Sequence, residues 1–256
     1  MTVQLSVVVI TKNEAANLAE CLDSVRWAEE IVVYDSGSTD ATVEIARRYT
    51  TKVFVDTDWQ GYGVHRQRAQ SKASGAWIFM LDADERVTPF LCEELLSVTR
   101  GASASALYSV PRLSYCFGRF IRHGGWYPDR VVRLYPAALA GYDDALVHER
   151  VHPQHALATR KLRGDILHYT YRDLEHYLVK SAHYAAQWSS QRFGRGKRAD
   201  LATGIVHGIG CFLRMYVFKS GFLDGKAGFL LALLSAHSTF VKYADLWLRG
   251  AKKTPR

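Results

Sequence analysis

Trp77-Ile78-Phe79-Met80-Leu81-Asp82-Ala83-Asp84-Glu85 is a run of five apolar residues that ends abruptly in three carboxylates. A continuous apolar run of this length suits a strand covered on both faces, as in a parallel sheet, and the carboxyl end of such a strand is where open α/β sheets bind ligands. On an extended chain Asp82 and Asp84 point to one side and Ala83 to the other, so the pair can meet one hard divalent cation through oxygen. The alternative is a polar turn, with Asp84 and Glu85 solvated ahead of a helix that starts near Thr88-Pro89. Asp-x-Asp alone is a weak motif, and its neighbours must decide.

Leu5-Ser-Val-Val-Val-Ile10 is a short β-branched run that predicts a central strand ending in Thr11-Lys12-Asn13-Glu14. Leu18, Cys21, Leu22 and Val25 then recur at helical spacing, which predicts a helix over residues 15–28. Ile31-Val-Val-Tyr34 predicts a second strand, followed by Asp35-Ser36-Gly37-Ser38-Thr39-Asp40, where Asp40 suits the cap of a helix over 41–49. Lys52-Val-Phe-Val55 predicts a third strand. Strands that alternate with helices call for right-handed crossovers and a parallel doubly wound sheet, whose carboxyl ends share one rim. Three polar clusters, 11–14, 35–40 and 82–85, then lie side by side. Neither Gly-x-Gly-x-x-Gly after the first strand nor Gly-x-x-x-x-Gly-Lys-Ser/Thr occurs, so the common dinucleotide and P-loop fingerprints are absent.

Beyond Pro89 the spacing of Leu91, Leu95 and Val98 predicts a helix, and strands are expected near 106–110 and 130–135. Between those strands lies Arg119-Phe-Ile-Arg122-His-Gly-Gly-Trp126-Tyr127-Pro-Asp129, an aromatic, basic and glycine-rich loop of the kind that binds ligands. Trp126 and Tyr127 could face a sugar ring and Arg122 or Arg130 a phosphate; packing inside the fold serves the two aromatics equally well. Asp143-Asp144-Ala-Leu-Val-His148-Glu149 adds carboxylates beside a histidine. His148 and Glu149 are adjacent and diverge, so one could meet a metal and the other a substrate hydroxyl.

Helices are expected over 174–188, 205–218 and 227–247, the first with an aromatic face, and a basic break, Gly194-Arg-Gly-Lys-Arg198, follows that first helix. The uncharged run Ala227–Val241 is shorter than the ~20 residues of a spanning helix. An interfacial position at a membrane and a helical cap on the catalytic domain both fit it. The net charge is +8, and twelve Lys/Arg against three Asp from Arg192 to Arg256 put the basicity in the tail, interleaved with apolar runs, which favours an anionic membrane surface over nucleic acid. With 48% apolar residues the chain supports a substantial core. Four scattered cysteines without a Cys-x-x-Cys pair argue against a zinc site or disulfide framework, and no export signal opens the chain, so a cytoplasmic protein is expected.

Val-Val-Val-Ile-Thr-Lys-Asn-Glu, Val-Val-Tyr-Asp-Ser-Gly-Ser-Thr-Asp and Leu-Asp-Ala-Asp-Glu, in this order, resemble the inverting, family-2 type glycosyltransferases of the GT-A fold. Arg122-His-Gly-Gly-Trp-Tyr-Pro-Asp129, Val147-His-Glu149 and His168-Tyr-Thr-Tyr171 extend the likeness to the lipopolysaccharide core β-1,4-glucosyltransferase subgroup. The resemblance implies a GT-A catalytic domain over 1–172, Rossmann-like with flanking helices on a mostly parallel sheet, and a helical amphipathic region over 173–256. It implies Thr11, Asn13 and Glu14 in the nucleotide pocket, Asp35 on the uracil, Arg66 towards the diphosphate and Asp82 on the ribose or metal. Asp84 would be the main ligand of Mg²⁺ or Mn²⁺, with His148 as a further ligand, and Arg122, Trp126 and Tyr127 would contact the acceptor. An inverting transfer needs a base to take the acceptor's proton; Glu149 is the first choice, with Asp144 and Asp129 as alternatives. The expected partners are a UDP-sugar, most simply UDP-glucose, and a lipid-anchored saccharide at the inner membrane face, with no nucleic acid. Transfer to a polyprenyl phosphate is the rival enzymatic reading, and an inactive nucleotide-binding or scaffolding protein the rival from another class.

Overall fold

The computed structural model describes residues 3–101, 105–145, 149–171 and 173–251 of the 256. The chain forms β1 (Leu5–Thr11), α1 (Leu18–Asp23), β2 (Glu30–Asp35), α2 (Thr42–Arg47), β3 (Val53–Val55), α3 (Tyr62–Gln70), β4 (Trp77–Asp82), β5 (Glu85–Val87) and α4 (Pro89–Gly101). After these come β6 (Ala106–Cys116), β7 (Arg119–Phe120), β8 (Asp129–Pro136), β9 (Ala140–Tyr142), β10 (Val151–Pro153), β11 (Ala158–Lys161) and β12 (Ile166–His168), then α5 (Leu174–Gly194), α6 (Leu201–Leu213) and α7 (Gly225–Ala251). Two compact units result, one of Met1–Arg112 with Asp129–His168, the other of Leu113–Pro128 with Tyr169–Arg256. A division was expected after residue 172. It falls four residues earlier, and the 113–128 segment goes with the helices because Cys116 and Ile121 are buried with Tyr177, Met215 and Leu231.

The first unit is built on a sheet of order β3-β2-β1-β4-β8-β6-β12-β5, parallel through its first four strands and antiparallel where β8 meets β4 and β6 and where β12 meets β5. Along β1 and β4, Val7, Val9, Phe79 and Leu81 enter one apolar cluster while Val8, Ile10, Ile78 and Met80 enter another, so both faces of these strands are covered. That is why the runs read as unbroken rather than alternating. Full burial of each such side chain is worth about 1.5–3 kcal/mol. The register pairs Thr11 with Asp35 and Ile10 with Asp82, which puts the ends of β1, β2 and β4 on one rim.

Several elements differ from expectation at their ends. α1 closes at Asp23 because Val25 N–H donates to Leu22 O (3.2 Å) and Ala28 N–H to Val25 O (3.0 Å), tight turns in place of helix. α2 stops at Arg47 for the same reason, with Tyr49 N–H on Ala46 O (3.0 Å). The residues after Asp84 form β5, paired antiparallel with β12, so the alternative of a solvated polar turn ahead of α4 does not hold for Glu85, which is buried.

In the second unit Asp173 caps α5 by accepting from His176 N–H (2.7 Å), and Asp200 caps α6 by accepting from Thr203 N–H (2.6 Å). α6 runs on into a π-helical turn, Arg214–Phe218, and a 3₁₀ turn, Gly221–Asp224, leads into α7. Gly204 and Gly208 let α6 lie directly on Phe240, Tyr243 and Ala236 of α7. Among the described residues one helical stretch, Leu201–Phe218, is long and apolar enough to cross a membrane; the run from Ala227, singled out in the sequence, is not that stretch.

Candidate active site

The rim of the first unit is held by loop-to-loop hydrogen bonds. Asn13, in the left-handed region at φ 54°, donates its N–H to Ser38 Oγ (2.7 Å) and accepts from Thr39 N–H (2.8 Å). Glu14 N–H donates to Thr42 Oγ1 (2.8 Å), and Glu14 Oε2 accepts from Asn17 Nδ2 (2.8 Å). The fully buried Asp35 accepts from Gly37 N–H (2.9 Å), Ser38 N–H (2.7 Å) and the Ser38 hydroxyl, so its carboxylate shapes the turn after β2. Thr11 is buried, its hydroxyl without a partner among the described residues. Asp40 accepts from Thr42 N–H (3.0 Å) at the start of α2.

The end of β4 is the centre of a buried ionic chain. Asp82 Oδ1 accepts from Arg66 Nη2 (2.7 Å) and Asp82 Oδ2 from Arg133 Nη2 (2.6 Å). Arg66 Nε donates onward to Glu149 Oε1 (2.8 Å), and Arg133 Nη2 to Glu85 Oε1 (2.7 Å). Glu85 also accepts from Asp82 N–H (3.0 Å), and Arg112, paired with Asp129, approaches it to 3.6 Å. Burial alone would raise the Asp82 carboxyl; the Arg133 and Arg66 guanidiniums beside it hold it far below the usual carboxylate range instead. Burial would likewise lower both guanidiniums, and Asp82 drives each above its ordinary value. Among the described residues Arg66 Nη1 and Arg133 Nε are buried without partners, an open donor capacity that P-O or C-O oxygens can fill.

Arg66 is placed by its helix. The preceding His65 is buried with Nε2 2.7 Å from Ser36 Oγ, its ring edge-on to Tyr34, and burial pushes its pKa down, so α3 is keyed to the turn after β2 through a neutral imidazole. On the other side Gly63 N–H donates to Ala145 O (3.0 Å), and a Cβ at Gly63 would come within 2.2 Å of Asp143 O. Helix backbone therefore rests on the backbone of the segment that leads towards Glu149.

Asp82 and Asp84 do not share one partner. Asp82 is committed to two arginines, whereas Asp84 Oδ2 lies 3.3 Å from Nε2 of His168 at the end of β12. His148 lies outside the described residues. Asp129 is engaged by Arg112. In the second unit Arg122 places its guanidinium 5.6 Å over the Tyr127 ring, and Trp126 meets Tyr171 edge-on at 6.4 Å. Arg133 joins the ionic cluster around Asp82 without having been named in any motif, and Glu85 and His168, each quoted within a motif, had been given no role. A lone charge inside the apolar run Val131–Tyr135 was the available signal for Arg133, and the His168-Tyr-Thr-Tyr171 stretch for the histidine.

The chain matches the family described as Glycosyl transferase family 2 over residues 6–221. It is similar to the lipopolysaccharide core biosynthesis glycosyltransferase LpsC of Rhizobium meliloti, 29% identical over 259 residues that cover 97% of this chain and 94% of that one. An uncharacterized glycosyltransferase of Rickettsia prowazekii is 26% identical, covering 95% of this chain and 86% of the other. Among solved structures, S. aureus TarS 1–349 in complex with UDP-GlcNAc aligns with a TM-score of 0.45 and 15% identity, covering 97% of this chain and 91% of TarS. Parallel strands carrying charged residues at their carboxyl ends, together with a family match across most of the chain, lead to one conclusion: the chain belongs to glycosyl transferase family 2 and is a glycosyltransferase.

Proposed function

We propose that the enzyme transfers a sugar, most simply glucose, from a UDP-sugar to an inner-core heptose of lipopolysaccharide with inversion, working at the cytoplasmic face of the inner membrane. The observation that carries the reading is the chain Glu149–Arg66–Asp82, in which a buried guanidinium ties the strand-end carboxylate to a second carboxylate and keeps one N–H pair for a further anion. LpsC, similar along nearly its whole length, supports the acceptor class. In this scheme Asp35, Thr11, Asn13 and Glu14 shape the nucleotide pocket, and Arg66 meets the diphosphate. Glu149 takes the proton of the acceptor hydroxyl as its oxygen attacks the anomeric carbon and the bond to UDP breaks. Arg122, Trp126 and Tyr127 contact the acceptor.

Asp84 and His168 would hold a divalent cation. Cis ligands of an octahedral ion with bonds near 2.1 Å stand about 3 Å apart, and the carboxylate and imidazole are 3.3 Å apart. Among the described residues no three ligating side chains converge. When bound, the cation supplies Lewis-acid neutralisation of the leaving diphosphate.

The test is to incubate the protein with UDP- and GDP-sugars and truncated core lipid, with Mn²⁺ or EDTA, and to identify the product by mass and NMR. Asp84→Ala should lose transfer and Mn²⁺-dependent UDP binding while keeping its circular dichroism. Activity on polyprenyl phosphate but not on core lipid overturns the acceptor assignment.

A further inference from the structure

The second unit carries an apolar surface that its own core does not use. On α6 and the π-turn after it, Ile205, Ile209, Leu213 and Val217 follow one another at four-residue spacing, so they form one ridge, and all are exposed while the opposite glycine face packs on α7. The ridge ends at a tip where Phe218 is 78% exposed, joined by Phe222 and Leu223 on the following turn. The tip is tightly built: a Cβ at Gly221 would come within 2.7 Å of Met215 O, and Ser220 sits in the left-handed region at φ 55°.

Charge names what covers this surface. Arg214, Lys219 and Lys226 are exposed around the tip. Between Leu201 and Tyr243 the sequence has a single carboxylate, Asp224, and it is buried. An apolar wedge ringed by cations, with no exposed carboxylate along more than forty residues, complements an anionic bilayer surface, where each nearby Lys or Arg and each inserted apolar side chain adds affinity.

The same tip grips the loop proposed above to meet the acceptor. Asp224 Oδ2 accepts from the N–H groups of Arg122 (3.1 Å) and His123 (2.7 Å), Asp224 Oδ1 accepts from His123 Nδ1 (3.2 Å), and Gly124 N–H donates to Lys219 O (2.8 Å). Four hydrogen bonds thus join three consecutive residues of the loop, 122–124, to the turn that carries Phe218 and Leu223.

We infer that residues 214–224 are the element this enzyme inserts into an anionic membrane, and that Asp224 is a positioning residue that makes the loop 122–124 part of that anchor. The second half rests on the reading of that loop as acceptor-binding; the first does not.

The experiment uses the full chain and vesicles of phosphatidylethanolamine with phosphatidylglycerol, against phosphatidylcholine alone. The doubly substituted Phe218→Asp, Leu223→Asp protein, checked for unchanged circular dichroism, should partition to the anionic vesicles about tenfold or more weakly than the wild type, and wild-type binding should fall in 0.5 M NaCl and on phosphatidylcholine. Hydrogen exchange on the vesicle-bound wild type should slow at 214–224 and at 122–124 together, and Asp224→Asn should remove the protection at 122–124 while leaving that at 214–224. Vesicle binding that is undiminished by the double substitution overturns the anchor, as does a self-association lost in that variant without any vesicle binding. Protection at 122–124 that survives Asp224→Asn overturns the coupling. None of these readouts requires turnover, so an anchor that fails here and an acceptor assignment that fails in the product assay are separate results.

Discussion

At the amino-terminal edge of the parallel sheet, Glu30 is buried with the Lys52 ammonium, the Ser6 hydroxyl, Ser74 N–H (2.7 Å) and the Ser74 hydroxyl (2.6 Å). At the carboxyl-terminal edge, the half-buried Asp82 accepts from two buried guanidiniums, one of which reaches Glu85 and the other Glu149, and each keeps a nitrogen without a partner among the described residues. Both edges surround a carboxylate with donors; only one leaves donors over. Glu30 closes a structural clasp between β1, β2 and the turn before β4, in which one anion saturates its neighbours. The other edge keeps donor capacity that its own carboxylates leave unfilled, an arrangement that a further anion would complete.

The largest effect that would sharpen this contrast is Asp82→Ala, which leaves Arg66 and Arg133 as neighbouring buried cations. It should cost about 3–5 kcal/mol in urea unfolding and abolish transfer; a loss under about 1 kcal/mol would mean the chain of charges relaxes without it. Glu149→Gln comes next. It should lower kcat by about 10²–10⁴-fold with UDP binding kept, and full activity would remove Glu149 from the chemistry. At the opposite edge Glu30→Gln should cost about 1–3 kcal/mol in stability and leave KM for the donor unchanged.

Acid titration separates the edges most finely. Burial works to raise the Glu30 carboxyl, but its bonds to Lys52, Ser6 and Ser74 bring it from 4.5 down to about 2. A carboxyl depressed in the folded state contributes its full stability above its unfolded value and loses it as pH falls through the folded one. Stability should therefore decline as pH drops from 4.5 towards about 2, and Glu30→Gln should flatten that decline. An identical acid profile for the variant would assign the decline to other groups.

The frame of the site was legible because it is written in local signals. Apolar runs over 5–10, 31–34 and 77–81 mark strands covered on both faces, and the polar residues that close each run mark the shared rim. The pairings across that rim were not legible, because they join residues far apart in the chain. Asp82 meets Arg133, 51 positions on, and Asp84 meets His168 from a strand of three residues that carries no periodicity. The equivalence of Asp82 and Asp84 implied by alternation along a strand failed for the same reason: β4 ends at Asp82, and beyond it the chain turns into β5, paired with β12. In the helical unit, composition located the apolar stretches, while the continuation of α6 through a π-turn depended on packing against α7.

Gly63 has a consequence for how the enzyme can vary. Because α3 rests on residues 143–145 backbone to backbone, no side chain acts as a spacer between the helix that carries Arg66 and the segment that runs to Glu149. The seat of that helix on residues 143–145 is therefore set by backbone rather than by the size of a core side chain. Core residues can drift in size without altering how that helix sits on its neighbour, and the price is one position where even a methyl group is too much.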